Sequence, residues 1–163
     1  MKTLPVLLLA VVSSSCTKDP APVAAVPAAA PKPAADKAKG PDGAEYTVAL
    51  VPRAPYSAGK EAGVALTVAA KPGYHVNPEY PMVFKPEGHV GVRFAEDRLK
   101  LTWGAKTPCA ENAEDACAVE VPIALTPEKA GPATVAGTVA FSVCNPQHCL
   151  IEKVPLTLPI EVQ

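Results

Sequence analysis

Apolar and polar residues alternate one by one along most of the chain after residue 44. Tyr46, Thr47, Val48, Ala49, Leu50 and Val51 open the pattern. In 63–70, Val64, Leu66 and Val68 share one face, and Thr67 and Ala69 take the other. Residues 98–103 alternate again and end at the single tryptophan, Trp103. So do 119–124 and 134–143, where Val135, Val139, Phe141 and Val143 line one side. The closing segment sets Val154, Leu156, Leu158, Ile160 and Val162 on one face. A period of two over such lengths marks half-buried strands, and no window of similar length carries capped helical spacing. Pro155 and Pro159 aim their missing donors to the same lateral side, which places the last strand at a sheet edge or leaves that side unpaired. Seven to nine short strands at intervals of about ten residues predict an all-β fold, an immunoglobulin-like two-sheet sandwich, which periodicity alone does not separate from a small barrel.

The start of the chain follows another pattern. Met1 and Lys2 precede an apolar run over 4–12, which is shorter than the ~20 residues a bilayer span needs. Ser13, Ser14 and Ser15 are small residues just before Cys16. The arrangement fits a secretory leader and resembles a bacterial lipoprotein signal, with 1–15 removed and Cys16 acylated. Residues 16–43 are Ala- and Pro-rich, with Pro20, Pro22, Pro27, Pro31, Pro33 and Pro41 and no aromatic residue. Such a segment cannot bury a core and is expected to be a disordered tether, reaching roughly 80 Å if fully extended. Residues 44–163 then form one domain. The expected location is exported, anchored to a membrane by lipid and facing the periplasm.

Composition removes other classes. The formal net charge is −1, so no basic surface points to nucleic acid. Of the 5 cysteines, Cys16 suits the anchor and four remain, an even number behind an export signal. That reads as two disulfides in an oxidising compartment. Asn145-Pro146 is a turn signal between two strong strands, so Cys144 and Cys149 face each other across a hairpin mouth. A hairpin supplies the short Cα separation a disulfide needs. His148 adjoins Cys149, and a nearby imidazolium raises the reactive thiolate fraction of a cysteine. Chain entropy does not separate a reactive pair from a staple: it gives about 2.2 kcal/mol for the Cys144–Cys149 loop and about 2.6 kcal/mol for a Cys109–Cys117 loop.

Two patches resemble a known family. Val143-Cys-Asn-Pro-Gln-His-Cys-Leu150, followed by a Val-Pro-Leu strand, is similar to the active-site hairpin of the amino-terminal domain of the thiol:disulfide interchange protein DsbD. Lys71-Pro-Gly-Tyr-His-Val-Asn-Pro78 resembles that family's early motif. The resemblance implies an immunoglobulin-like fold and a redox pair, Cys144 and Cys149, that needs no cofactor and no metal. It implies Cys149 as the sulfur that bonds to partners, and it places Tyr74 and His75 near the pair. The implied partners are oxidised periplasmic proteins on one side and a membrane-embedded or thioredoxin-like reductant on the other. The activity would be that of a protein-disulfide reductase or interchange component. Ile151-Glu152 stand where the family often carries two prolines. The stretch matching its aromatic cap loop, roughly 104–118, holds no aromatic residue and carries Cys109 and Cys117. That pair is expected to staple a polar loop containing Glu111, Glu114 and Asp115.

Two other readings compete. A blue-copper-like site would use Cys144 and His148, with His75 or His89 as the distant histidine; no methionine follows His148, and Met82 lies far upstream. A non-catalytic binding module would carry both disulfides as staples.

Overall fold

The computed structural model describes residues 38–39, 43 and 45–163. The leader, Cys16 and the expected tether up to residue 37 lie outside the described residues.

Among the described residues every regular element is a β-strand. The strands are β1 (Ala38–Lys39), β2 (Tyr46–Pro52), β3 (Ala62–Ala70), β4 (His75–Val76), β5 (Val83–Pro86), β6 (Val92–Arg93), β7 (Leu99–Lys100), β8 (Ala105–Pro108), β9 (Ala116–Pro127), β10 (Gly131–Cys144) and β11 (Cys149–Val162). All ladders are antiparallel; the isolated bridge from Tyr56 to Val162 is parallel. One run of pairing is β1-β2-β3-β9, with β8 and β6 on the far side of β9. Another is β11-β10-β5-β7. Two-residue β4 joins them, since Val76 pairs with Ala116 of β9 and with Val143 of β10.

The expected all-β class holds, and the alternating segments become β2, β3, β9, β10 and β11. The strand lengths differ from expectation. β9 has 12 residues and β10 and β11 have 14 each, while several others have two. Ala38–Lys39, inside the stretch expected as tether, pairs with Leu50 and Ala49 of β2. Segment 98–103 is not one strand. Leu99, Leu101 and Trp103 do pack against the core. However, β7 pairs with β5 and β8 pairs with β9, so the chain crosses between ladders there and cannot keep one partner.

The prolines explain where pairing stops. Pro155 and Pro159 sit in β11, whose only ladder partner among the described residues is β10. The expected edge position is therefore occupied, with the missing donors costing no ladder bond. Pro122 of β9 falls in the gap between the β8 ladder, which ends at Glu120, and the β6 ladder, which begins at Thr126.

One apolar cluster holds the domain together, with Leu50, Leu66, Phe84, Val121, Phe141 and Leu158 almost wholly buried. Tyr46 of β2 sets its ring edge-on to Phe141 of β10, centroids 5.0 Å apart, and donates its hydroxyl to Glu152 at 3.1 Å. Burial first, and the Glu152 carboxylate second, push the Tyr46 phenol up to about 12. Gly137 of β10 sits where no side chain fits. A Cβ there would lie 2.5 Å from both the Phe84 ring and the Lys85 carbonyl oxygen.

Candidate functional site

The site is built at one end of the β10–β11 hairpin. Fourteen register pairs run from Gly131↔Val162 to Cys144↔Cys149, so the cysteines are the last pair before the turn. Asn145 closes the turn. Its side-chain oxygen accepts from the backbone N–H of Gln147 and of His148, both at 2.9 Å, and its own N–H donates to the His148 carbonyl at 2.9 Å. Pro146 pre-sets the backbone of the second turn position. The chain therefore delivers two thiol-bearing positions face to face, and they are bonded as a disulfide with Cα atoms 4.0 Å apart.

The two sulfurs differ in access. Cys144 is 5% exposed, whereas Cys149 is exposed. Successive side chains of a strand point to opposite faces. Val143 belongs to the core cluster, so Cys144 lies on the other face, with Ser142. The Ser142 hydroxyl, 1% exposed, lies 3.9 Å from Cys144 Sγ and is placed to donate to it.

Neighbours arrive from β4. Lys71-Pro-Gly-Tyr74 is a tight turn in which Tyr74 N–H donates to the Lys71 carbonyl at 3.0 Å. Gly73 takes φ of +85° there, as the third position of such a turn requires. The turn feeds Tyr74 and His75 into place at once. His75 is the register partner of Cys144. The Tyr74 ring meets the His148 ring edge-on, centroids 6.3 Å apart. Tyr74, His75 and His148, read from separate parts of the sequence, are thus brought together beside Cys144 and Cys149.

The second disulfide joins the same place. Cys109 and Cys117 are bonded, with Cα atoms 4.8 Å apart, and both are half-buried. Val76 pairs with Ala116; one further step of that antiparallel register sets His75 beside Cys117. Cys117 Sγ is 3.8 Å from the Tyr74 carbonyl oxygen; being in a disulfide, it donates no proton. Cys117, His75 and Cys144 therefore form a row across three strands. Two interstrand steps put the disulfides about 10 Å apart.

Against the Cys109–Cys117 bond opens a cleft of about 600 Å³ that reaches the hairpin turn at Pro146. Tyr74, His75, Cys109, Cys117, Asp115 and Pro146 are among its walls. Asp115 faces His75, with Oδ2 3.7 Å from Nδ1. Asn112 Nδ2 donates to the same carboxylate oxygen at 3.0 Å, and Cys109 N–H donates to the Asp115 carbonyl at 3.1 Å.

His89 is elsewhere. Its ring stacks edge-on to Phe94 at 5.1 Å. Its neighbour Val90 bridges Thr134, roughly 30 Å along β10 from Cys144 at ~3.3 Å per residue. No group of three or more His, Cys, Asp or Glu able to hold a metal ion occurs among the described residues. Of the two histidines the copper reading offers, His75 stands beside Cys144 and His89 is remote, while the Cys144 sulfur that would ligate the metal is bonded to Cys149.

Two participants carried no sequence signal of their own. Ser142 could have been found from its i, i+2 relation to Cys144, which puts both on one strand face. Asp115 was visible only as one of three acidic residues in a polar loop. Its approach to His75 comes from a register between distant strands.

No protein-family model matches this chain, and neither does any curated protein or solved structure.

Proposed function

We propose that this chain is an exported, lipid-anchored thiol–disulfide exchange protein. Its domain would be an immunoglobulin-like sandwich similar to the amino-terminal domain of DsbD, held off the membrane by an Ala/Pro-rich tether beginning at Cys16. Cys144 and Cys149 form the redox pair. The observation that carries this reading is the pairing of an exposed sulfur with a buried one at the end of a fully laddered hairpin.

Exchange needs one sulfur that a visiting protein can reach and a second held ready behind it. Cys149 meets the first need and Cys144 the second. In the reduced state Val143↔Leu150 and the pairs beyond keep the thiols opposite each other, so the domain can cycle without refolding. The Cys149 thiolate attacks a partner disulfide and forms a mixed disulfide. Cys144 then attacks Cys149 Sγ and releases the reduced partner. Electrons would come from a membrane-embedded or thioredoxin-like dithiol and go to oxidised exported proteins. No cofactor enters the scheme.

Trapping tests the proposal. Cys144→Ala leaves a mixed disulfide on Cys149 unresolved. Mass spectrometry of the captured species should find exported cysteine proteins attached at Cys149. An absence of adducts from Cys144→Ala and from Cys149→Ala alike would remove the exchange reading.

A second reading is favoured by the burial of Cys144 and by the presence of both disulfides. In it both bonds are staples, and the tethered domain presents a binding surface. Removal of Cys144 and Cys149 together would then destabilise the domain and leave cellular thiol chemistry unchanged.

A further inference from the structure

The row Cys117–His75–Cys144 gives His75 a task that the cysteines alone leave unassigned. Resting on the exchange reading above, we infer that His75 takes the proton of the Cys144 thiol in the resolving step, with Asp115 as the residue that positions it.

Cys144 must become a thiolate before it can attack, because the thiol is not the nucleophile. Its burial withholds the water that would otherwise accept the proton. Ser142 can donate a hydrogen bond to the sulfur, which steadies a thiolate but does not take up its proton at neutral pH. A base must therefore stand beside Cys144, and its register partner is His75. Imidazole is the side chain that gives and takes protons near neutrality. Nδ1 of His75 faces the Asp115 carboxylate. That approach, too long for a direct hydrogen bond, turns Nδ1 toward the carboxylate and leaves Nε2 as the nitrogen that accepts.

The second disulfide acquires a reason in the same scheme. The loop bearing Asp115 is closed by Cys109–Cys117 and tied internally by Asn112. The staple fixes the carboxylate that orients the histidine, so one disulfide is kept intact in order that the other can exchange.

The step balances. In the mixed disulfide, Cys149 Sγ is bonded to a partner sulfur. His75 Nε2 takes the Cys144 proton, and the thiolate forms the Cys144–Cys149 bond as the Cys149–partner bond breaks. The partner sulfur leaves with the electron pair and is protonated by the imidazolium or by water. The domain dithiol is oxidised, and the partner disulfide is reduced to two thiols.

Other titratable groups surround His75. Asp115 and Glu111 face the cleft from the stapled loop, and Glu114 is exposed on it. Tyr74 stands next in the chain, and His148 lies against Tyr74 from the hairpin. Lys71 begins the turn and donates its ammonium to the Gly43 carbonyl. β10 contributes Cys144, and β3 contributes no titratable side chain.

The test uses the full chain with its Cys144–Cys149 pair reduced, mixed with glutathione disulfide. Acid quenching and mass spectrometry follow the glutathione adduct on Cys149 and its loss. His75→Gln and Asp115→Asn preserve size, and near-ultraviolet circular dichroism with an intact Cys109–Cys117 bond confirms folding. The adduct should form at the unaltered rate. Its resolution should slow at least tenfold near neutral pH in His75→Gln, since general-base assistance is worth ~10²–10⁴ in rate. Asp115→Asn should slow it less and displace the pH profile. In His75→Ala, added imidazole should restore resolution, which a merely structural role would not allow. Glu161→Gln, at the opposite end of the β10–β11 hairpin, should keep the wild-type profile. Resolution at the wild-type rate and profile in both His75 variants would overturn the inference and leave exchange standing. Failure of the unmutated chain to form or resolve any adduct would overturn the exchange reading and this inference together.

Discussion

The two disulfides sit about 10 Å apart across β4, close similar loops and differ in what surrounds them. Cys144–Cys149 ends a hairpin whose fourteen register pairs hold its strands together with or without the bond. Cys109–Cys117 closes an exposed polar loop whose order rests on a few local hydrogen bonds and the short β8 ladder. The first pair offers one accessible sulfur and one hidden sulfur; in the second, both are half-buried. Loop entropy does not distinguish them, because the estimates differ by only about 0.4 kcal/mol. The lesson is positional. A disulfide can exchange without disturbing its domain when other interactions already define the geometry of its reduced form. It is a staple when the bond itself supplies that geometry.

Exchange kinetics should break the symmetry most strongly. Cys149→Ser should reduce reaction with glutathione disulfide to background, a loss of at least a hundredfold on the scale of thiolate reactivity. The double change Cys109→Ser and Cys117→Ser should keep adduct formation at Cys149 and slow only its resolution, by about tenfold or less. Equal losses in both would erase the distinction. Denaturant unfolding of the two double-cysteine variants should barely separate the pairs, with each pair's removal costing about 2–3 kcal/mol and the domain still folded. A much larger cost for the Cys144/Cys149 pair would mark it as the staple.

A smaller effect comes from the turn. Asn145→Ala removes the oxygen that accepts from two backbone N–H groups. It should cost about 1–2 kcal/mol and raise amide exchange at 145–148 while leaving the Cys109–Cys117 loop unchanged. Protection lost at both loops would mean that the regions are one unit.

The smallest effect lies away from both disulfides, at Tyr46. Its phenol is pushed up to about 12 by burial and by Glu152, so folding favours the protonated form. That stabilisation is complete below the ordinary tyrosine range near 10 and is lost as pH rises from about 10 through 12. The melting temperature should fall over that window and fall less in Tyr46→Phe. A residual slope should remain, because burial also raises the Tyr56 phenol. Exchange by Cys149 should not respond to Tyr46→Phe. If it does, the hairpin is coupled to the core more tightly than its ladder implies.

Much of this arrangement was legible in the sequence, and what was not has a common cause. Period-two patterning exposes β2, β3, β9, β10 and β11, because each buries one face along its length. Asn145-Pro146 exposes the hairpin, and Pro155 with Pro159 exposes the edge strand. β4 was invisible as a strand, since two residues carry no period, yet it brings His75 to Cys144 and Val76 to Ala116. The contact between His75 and Asp115 follows from that pairing. Residues 98–103 misled for a related reason. Alternation reports which face meets the core and says nothing of which partner accepts the hydrogen bonds, and there the partner changes from β5 to β9.

The most direct measurement is the reduction potential of each disulfide separately, obtained by equilibrating the chain in graded thiol buffers and quantifying each cysteine by differential alkylation. The expected result is a potential above about −300 mV for Cys144–Cys149 and below it for Cys109–Cys117. Both bonds resisting reduction below that value, or the order reversed, would contradict the assignment of Cys144 and Cys149 as the exchanging pair.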